Sequence, residues 1–316
     1  MNMSQGIIKK TVIITGYQCN NRCRFCIEAN KRDIANVSTS KIKTQMLDAR
    51  QRGAEYLELI GGEMTIRPDI FEIIGFAKSL GFETIMMSTN GRMYSYKELA
   101  RNMFKAGLNS LIFSIHGHNA KIHDYLTQVP GSFKQLKQGV ENVKEVIKEM
   151  GLEGIVLGTN TTIVKQNYKY LPQIGKFIYN LGFRNAEFIF VDCNEGWAKD
   201  HFDELVPRIS EVAPYAYKCL DMVKKYHISH WAIRYVPLCY FQNYLDQISE
   251  LQEVATFHTE HLAPDFENRD VEKSRQTVGR AKTKRCQSCL LYDKCEGIWK
   301  EYLKRYGDKE LNKIVK

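Results

Sequence analysis

The sequence lacks any run of roughly eighteen apolar residues, the length a membrane-crossing helix needs, so no helical span is expected. It lacks a secretory signal as well: the opening stretch "MNMSQGIIKKTVIITGYQC" has no long apolar segment and no small-residue cleavage site. The cysteine count is nine and therefore odd. An odd count without a signal argues against a disulfide framework and for thiolate ligands in a reducing, cytoplasmic setting. Internal repeats, low-complexity tracts and a single block of basic residues are also missing, so neither a solenoid nor a recognisable RNA-binding appendage is expected; no membrane partner is expected, and a tRNA substrate stands only as a third option behind a peptide or a small metabolite.

What is present fits a folded enzyme-sized chain. Its 316 residues are 44% apolar, enough for one large α/β domain or a main domain with a small appendage. The net charge is +9, from 45 basic and 36 acidic side chains that read as scattered. A mild positive field suits an anionic substrate or a peptide with an acidic leader, and an ordinary Lys-rich surface gives the same count.

Short β-type runs alternate with helical patterns through the first two-thirds. Strands are expected at 11–16, 56–61, 84–89, 110–115, 158–164 and 186–191, with helices at 40–52, 69–80, 95–106, 133–150 and 169–181. Repeated βα order predicts a parallel sheet covered by helices, here a partial, open (β/α)6 TIM-like barrel over residues 1–200. In such sheets ligands gather at the C-terminal strand ends. Those ends carry "GYQCNNRC", "GGEMT", "STNG", "SIHGH" and "VDCNEGW" in turn. After residue 200 the rhythm changes. Helical stretches at 205–226 and 240–254 flank a strand at 231–239. A polar segment at 266–285 then leads to "CQSCLLYDKC" and a last helix at 294–306. Residues 201–316 form the C-terminal extension in this reading.

Cys19, Cys23 and Cys26 form one tight group with no nearby histidine. Zinc usually takes four Cys/His ligands in separated pairs. A [4Fe–4S] cube held by three cysteines keeps one iron free for another ligand. This spacing, Cys-x3-Cys-x-Phe-Cys after a first barrel strand, resembles the signature of the radical S-adenosylmethionine (radical SAM) superfamily.

The resemblance implies that Cys19, Cys23 and Cys26 hold a [4Fe–4S] cluster. SAM would chelate the open iron and yield a 5′-deoxyadenosyl radical on reductive cleavage. Phe25 would lie beside the adenine. Gly61, Gly62 and Glu63 resemble the family's Gly-Gly-Glu-Pro motif, with Met64 at the proline position. There the glycines would admit the ligand closely and Glu63 would accept from its ammonium group. Thr89, Asn90 and Ser114 occupy positions that contact ribose and methionyl carboxylate in relatives. His118 and His123 carry no assigned chemistry.

The second group, Cys286, Cys289 and Cys295, is dense enough to mark a metal or cluster site. It resembles the C-terminal auxiliary-cluster domain of radical SAM maturases, SPASM, or its shorter relative, Twitch. Trp299 stands where the longer pattern has another cysteine, which implies one auxiliary [4Fe–4S] cluster. Cys239, read at a strand end, is the expected fourth ligand, and Cys219 a buried apolar residue. Cys193 has two readings: a rim thiol that gives a hydrogen atom to a substrate radical, with Asp192 and Glu195 beside it, or an inert buried residue.

The function implied is hydrogen abstraction from a peptide or a small molecule. A carrier such as flavodoxin or ferredoxin would supply electrons. The first strand begins near residue 11, so a peptide's leader would need a separate binding protein. A non-catalytic iron–sulfur carrier or zinc scaffold is the alternative, and it has no use for the strand-end motifs.

Overall fold

A computed structural model describes residues 7–228 and 230–315. The apolar and β-branched runs become β1 (Ile8–Ile14), β2 (Tyr56–Ile60), β3 (Thr84–Thr89), β4 (Ser110–Ser114), β5 (Val156–Ile163) and β6 (Asn185–Phe190). The amphipathic stretches become α1 (Thr39–Gln51), α2 (Ile70–Ser79), α3 (Lys97–Ala106), α4 (Ala120–Thr127), α5 (Ser132–Glu149) and α6 (Leu171–Asn180). Only α4 was not foreseen. Asn119 caps it by accepting the Ile122 N–H at 3.1 Å, a common device for satisfying a helix's free first-turn donors. Apolar helix faces such as Ile42, Val143 and Ile174 pack on the outward strand residues Leu57, Phe113 and Phe188.

Further strands extend the sheet beyond the six expected: β7 (His230–Arg234), β8 (Phe257–Leu262) and β9 (Glu267–Asn268). The order is β7-β6-β5-β4-β3-β2-β1-β8-β9. All neighbours are parallel except β8 and β9. The sheet is thus an open barrel, and the helix Ser249–Thr256 packs against both β7 and β8. Residues after 200 contribute strands at both margins of the same sheet. β8, "FHTEHL", escaped notice because it has no apolar stripe. Thr259 and His261 turn toward a polar interior cavity, while Glu260 bonds Arg52 and Arg269 outside.

The C-terminal third departs from expectation in detail. The strand expected over 231–239 stops at Arg234, because Tyr235 adopts a left-handed conformation (φ 67°) and Pro237 to Phe241 turns back on itself. Cys239 therefore lies in a turn rather than at a strand end. The polar segment at 266–285 contains the short helix Val271–Ser274, a π-helical turn at Arg275–Gly279, and β10 (Arg280–Ala281). β10 pairs antiparallel with β11 (Ile298–Trp299), and the last helix begins only at Lys300.

A run of alternating charges joins these parts. Glu187 on β6 pairs with Arg234 on β7 at 2.8 Å, and Arg234 approaches Glu253 at 3.3 Å. Glu253 pairs with Arg275 at 2.8 Å, and Arg275 with Glu296 at 2.7 Å. Arg280 lies 3.0 Å from both Glu296 and Glu250. Burial works against the Glu253 charge, yet Arg234 and Arg275 hold its carboxyl down to about 2. Arg280 is 2% exposed, so its removal leaves buried Glu250 without its cation and Glu296 with Arg275 alone. Arg280→Ala is expected to cost about 3–5 kcal/mol, read as a lowered urea midpoint. An unchanged midpoint would remove the charge run from the account of stability.

Candidate functional site

The three-thiol loop follows β1 and is held from three directions. Gln18 accepts the Glu63 N–H at 2.8 Å, so the β2 end lies directly against it. Thr127 and Leu126, at the end of α4, accept the N–H groups of Arg22 and Arg24 at 3.0 and 2.9 Å. Cys26 accepts the Trp197 N–H at 3.0 Å from the loop after β6. Gly61 and Gly62 serve the first contact. A Cβ on Gly61 (φ 131°) would fall 2.2 Å from the Gly16 carbonyl, and one on Gly62 would fall 1.9 Å from that of Gln18. The double glycine thus lets two backbones touch. Both glycines also border the cavity.

Glu63 is 3% exposed and sits behind the cavity wall. Its Oε1 accepts from the Thr65 N–H (3.2 Å), Thr65 Oγ1 (2.5 Å) and Thr89 Oγ1 (2.8 Å), and its Oε2 from the Asn90 N–H (2.7 Å). A carboxylate has about four lone-pair sites, so its acceptor capacity is largely used. Burial raises its pKa, opposed by these donors. Glu63 therefore meets the protein's own strand-end donors, and its Oε2 accepts only the Asn90 N–H. Asn90 continues the chain, donating to Asn20 Oδ1 at 2.6 Å, and Arg92 donates to Asn21 Oδ1 at 3.0 Å and to the Asn20 carbonyl.

Cys19, Cys23 and Cys26 open onto a cavity of about 570 Å³ that runs down the barrel to Lys10 and Arg234. This is the size range of small-molecule sites. Phe25, Thr89, Asn90 and Ser114 line the same cavity. Burial pushes the Cys19 thiol up to about 11 and raises Cys23 and Cys26 too. Metal coordination deprotonates such thiols outright. The Asn21 N–H points at Cys19 Sγ, 3.3 Å away.

His116 was passed over in the sequence. Its ring packs edge-on against Phe25, with centroids 4.6 Å apart. Its Nδ1 accepts the Thr162 N–H at 3.3 Å, which assigns the ring proton to Nε2. Burial, then His123, holds its pKa well below the ordinary value. His116 is thus a neutral residue on the cavity wall beside Phe25. Its only signal was its place in "SIHGH" at a strand end.

Cys193 is 0% exposed and away from the cavity; the Tyr302 backbone N–H reaches its thiol. Its reading as a rim thiol does not match this placement, and the inert one does. The extended chain after β6 alternates faces, so the neighbouring Asp192 lines the cavity instead. Cys219 is buried against Gly175, as expected.

Cys239, Cys286, Cys289 and Cys295 line one small cavity. Backbone N–H groups of Leu238 and Gly297 point at Cys295 Sγ (3.5 and 3.3 Å), and that of Ile314 at Cys289 Sγ (3.4 Å). Donors to sulfur of this kind tune iron–sulfur sites. Among the described residues, no three cysteine sulfurs lie within 4.8 Å of one another. A zinc tetrahedron with bonds of about 2.3 Å would bring them to about 3.8 Å. Trp299 packs against Tyr235 and the Arg280 guanidinium.

An open parallel barrel with thiols and a polar cavity at its strand ends defines a ligand-binding α/β barrel. Comparison with known proteins makes this specific: a model of the Radical SAM superfamily matches residues 13–206, and the chain belongs to that superfamily. It is 30% identical over 166 residues to an AdoMet-dependent heme synthase of Oleidesulfovibrio alaskensis, covering 52% of this chain and 40% of that one. It is 28% identical over 224 residues to a probable GTP 3′,8-cyclase of Saccharolobus solfataricus, covering 70% and 68%. The chain spans 40% and 52% of two heme synthases it matches, about half their length. Streptococcus suis SuiB bound to S-adenosylmethionine shares the fold, with TM-score 0.68, 15% identity, and coverage of 95% of this chain and 74% of that one. So does anSMEcpe with bound AdoMet, with TM-score 0.62, 10% identity, and coverage of 96% and 92%.

Burial pushes the Asp192 carboxyl from its ordinary 3.8 up to about 6. The folded chain therefore holds this proton where the unfolded chain has lost it, and stability falls as pH rises through that window. Asp192→Asn is expected to stabilise the protein at neutral pH by about 1–3 kcal/mol, with the gain vanishing below about pH 4. Urea melts at the two pH values check this, and a gain independent of pH would contradict it.

Proposed function

We propose that the chain is a radical SAM enzyme carrying two [4Fe–4S] clusters. Cys19, Cys23 and Cys26 hold the first. SAM occupies the adjoining cavity beside Phe25, His116, Thr89, Asn90 and Ser114. Once bound there, SAM and the cluster supply a 5′-deoxyadenosyl radical that abstracts a hydrogen atom from substrate. Glu63, Gly61 and Gly62 position the loop and the strand ends, and His116 offers a neutral N–H to the ligand. The observation that carries this reading is the opening of three closely spaced thiols onto a cavity bordered by the Gly61-Gly62 and Ser88-Thr89-Asn90 strand ends.

Cys239, Cys286, Cys289 and Cys295 hold an auxiliary cluster in a SPASM/Twitch-like region, residues 201–316, which also completes the margins of the sheet begun by the core, residues 1–200. Their lining of one small cavity, with backbone N–H groups aimed at Cys289 and Cys295, supports this assignment. The cavity accepts a small molecule or one side chain of a peptide. Similarity to proteins named heme synthase and GTP 3′,8-cyclase supports the former, and the SuiB structure bound to precursor peptide SuiA supports the latter. An acidic electron carrier of the flavodoxin or ferredoxin kind is the partner. Residues 280–316 contain eleven basic and five acidic side chains, so six of the nine net positive charges lie in the segment that carries most of the second thiol group. A net positive charge in this part of the chain attracts an acidic partner.

Anaerobic reconstitution is expected to load about eight irons per chain, two cubes of four. Supplied with SAM and dithionite, the protein should form 5′-deoxyadenosine. Replacing Cys19, Cys23 and Cys26 by Ala should halve the iron and abolish that product. Replacing Cys286, Cys289 and Cys295 should halve the iron and leave SAM cleavage. Iron content indifferent to both replacements would sink the two-site assignment, and absence of 5′-deoxyadenosine from the loaded wild type would sink the enzyme.

A further inference from the structure

The open side of the barrel depends on how segment 270–275 is fastened to β8. His258 on β8, Asp270 and Glu272 converge there, with one ligand atom of each within 4.8 Å of the others. His258 is exposed, Asp270 is half-buried and Glu272 is 8% exposed. Glu272 Oε2 accepts the Thr259 N–H at 3.2 Å. Its Oε1 is fully buried and has no hydrogen-bond partner. An unmet buried acceptor is costly, and a charged one more so. The arginines flanking the segment are committed elsewhere, Arg269 to Glu260 and Glu267 and Arg275 to Glu253 and Glu296. Asp270 Oδ1 caps the helix Val271–Ser274 by accepting the Lys273 N–H at 3.0 Å, which leaves Oδ2 for another partner.

We propose that His258, Asp270 and Glu272 form a divalent-cation site, separate from both thiol groups, that clasps segment 270–275 to β8. One imidazole and two carboxylates suit a first-row divalent ion such as Mn²⁺. The cation meets the orphaned Glu272 oxygen, which no protein donor reaches. Its consequence is local: Val271 and Arg275 line the large cavity, and Arg275 is a link of the buried charge run. The clasp fixes the cavity wall on the side where the sheet stays open. This assignment does not rest on the cluster chemistry.

The test uses the full-length, cluster-loaded protein after passage over a chelating resin, titrated with MnCl₂. Free Mn²⁺ is followed by its electron paramagnetic resonance signal. Mn²⁺ is a hard ion that thiolates bind poorly, so the cysteine sites do not compete. The wild type is expected to take up one Mn²⁺ per chain and to melt at a higher temperature with it. His258 is exposed, an Asn at 270 keeps the helix cap, and both His258→Ala and Asp270→Asn preserve the buried Glu272, so both should fold. Each should weaken uptake by at least about tenfold and lose the thermal shift. If the His258 imidazolium alone balances the two carboxylates, the wild type takes up no Mn²⁺ even at millimolar concentration, and the proposal falls. Undiminished uptake by both variants overturns it equally.

Discussion

A single buried carboxylate, Glu63, sets the position of the three-thiol loop. Its two oxygens take donors from Thr65, Thr89 and the Asn90 backbone, which locks the ends of β2 and β3 to each other. Asn90 and Arg92 then pass that constraint to Asn20 and Asn21, within the loop itself. The β2 end meets the loop through backbone contacts that only glycine permits at Gly61 and Gly62. A fully satisfied buried network is rigid, while a partly satisfied one is costly. The thiols are therefore held by the strand ends as well as by their own short loop.

A different constraint governs the other side of the molecule. β7 and β8 do not pair, so nothing in the sheet closes the barrel. Closure falls to the helix Ser249–Thr256 and to segment 271–281, both bound through charge. Glu253 and Glu250 on that helix reach Arg234, Arg275 and Arg280. Glu296, which Arg275 and Arg280 share, immediately follows Cys295. Positioning of the second thiol group and closure of the barrel are consequently one problem. A buried ion pair contributes little net stability over an apolar pair of the same shape, but breaking one is expensive. That asymmetry suits a joint that must keep one geometry.

Much of this was legible in the sequence, for local reasons. The six first strands are covered on their outer face by helices and read as apolar runs, and the strand-end motifs stand next to them. β8 was not legible because its inward residues, Thr259 and His261, face a polar cavity. Cys193 and Asp192 were named together, and only the strand's alternation decides which of them lines the cavity. Cys239 lines one small cavity with Cys286, Cys289 and Cys295, although the strand before it ends at Arg234. Glu63 was recognised by motif, yet two of its three partner residues, Thr89 and Asn90, lie one strand away and no spacing rule reveals them. The charge run has members from Glu187 to Glu296, and only the fold brings them into one line.

Charge shows the same limit. The net of +9 invites the expectation of an anionic substrate. Most of that excess lies in residues 280–316, outside the large cavity. Within the cavity the cations are already matched: Lys10 by Glu58 at 2.6 Å, Arg234 by Glu187 and Arg275 by Glu253. Glu28 and Asp192 also line it, and burial pushes their carboxyls up to about 7 and about 6. Surface charge acts through solvent that screens it within about 10 Å, whereas the cavity walls act at contact. The positive exterior bears on which macromolecules approach. Selection of what enters rests on an interior whose uncompensated groups are acidic.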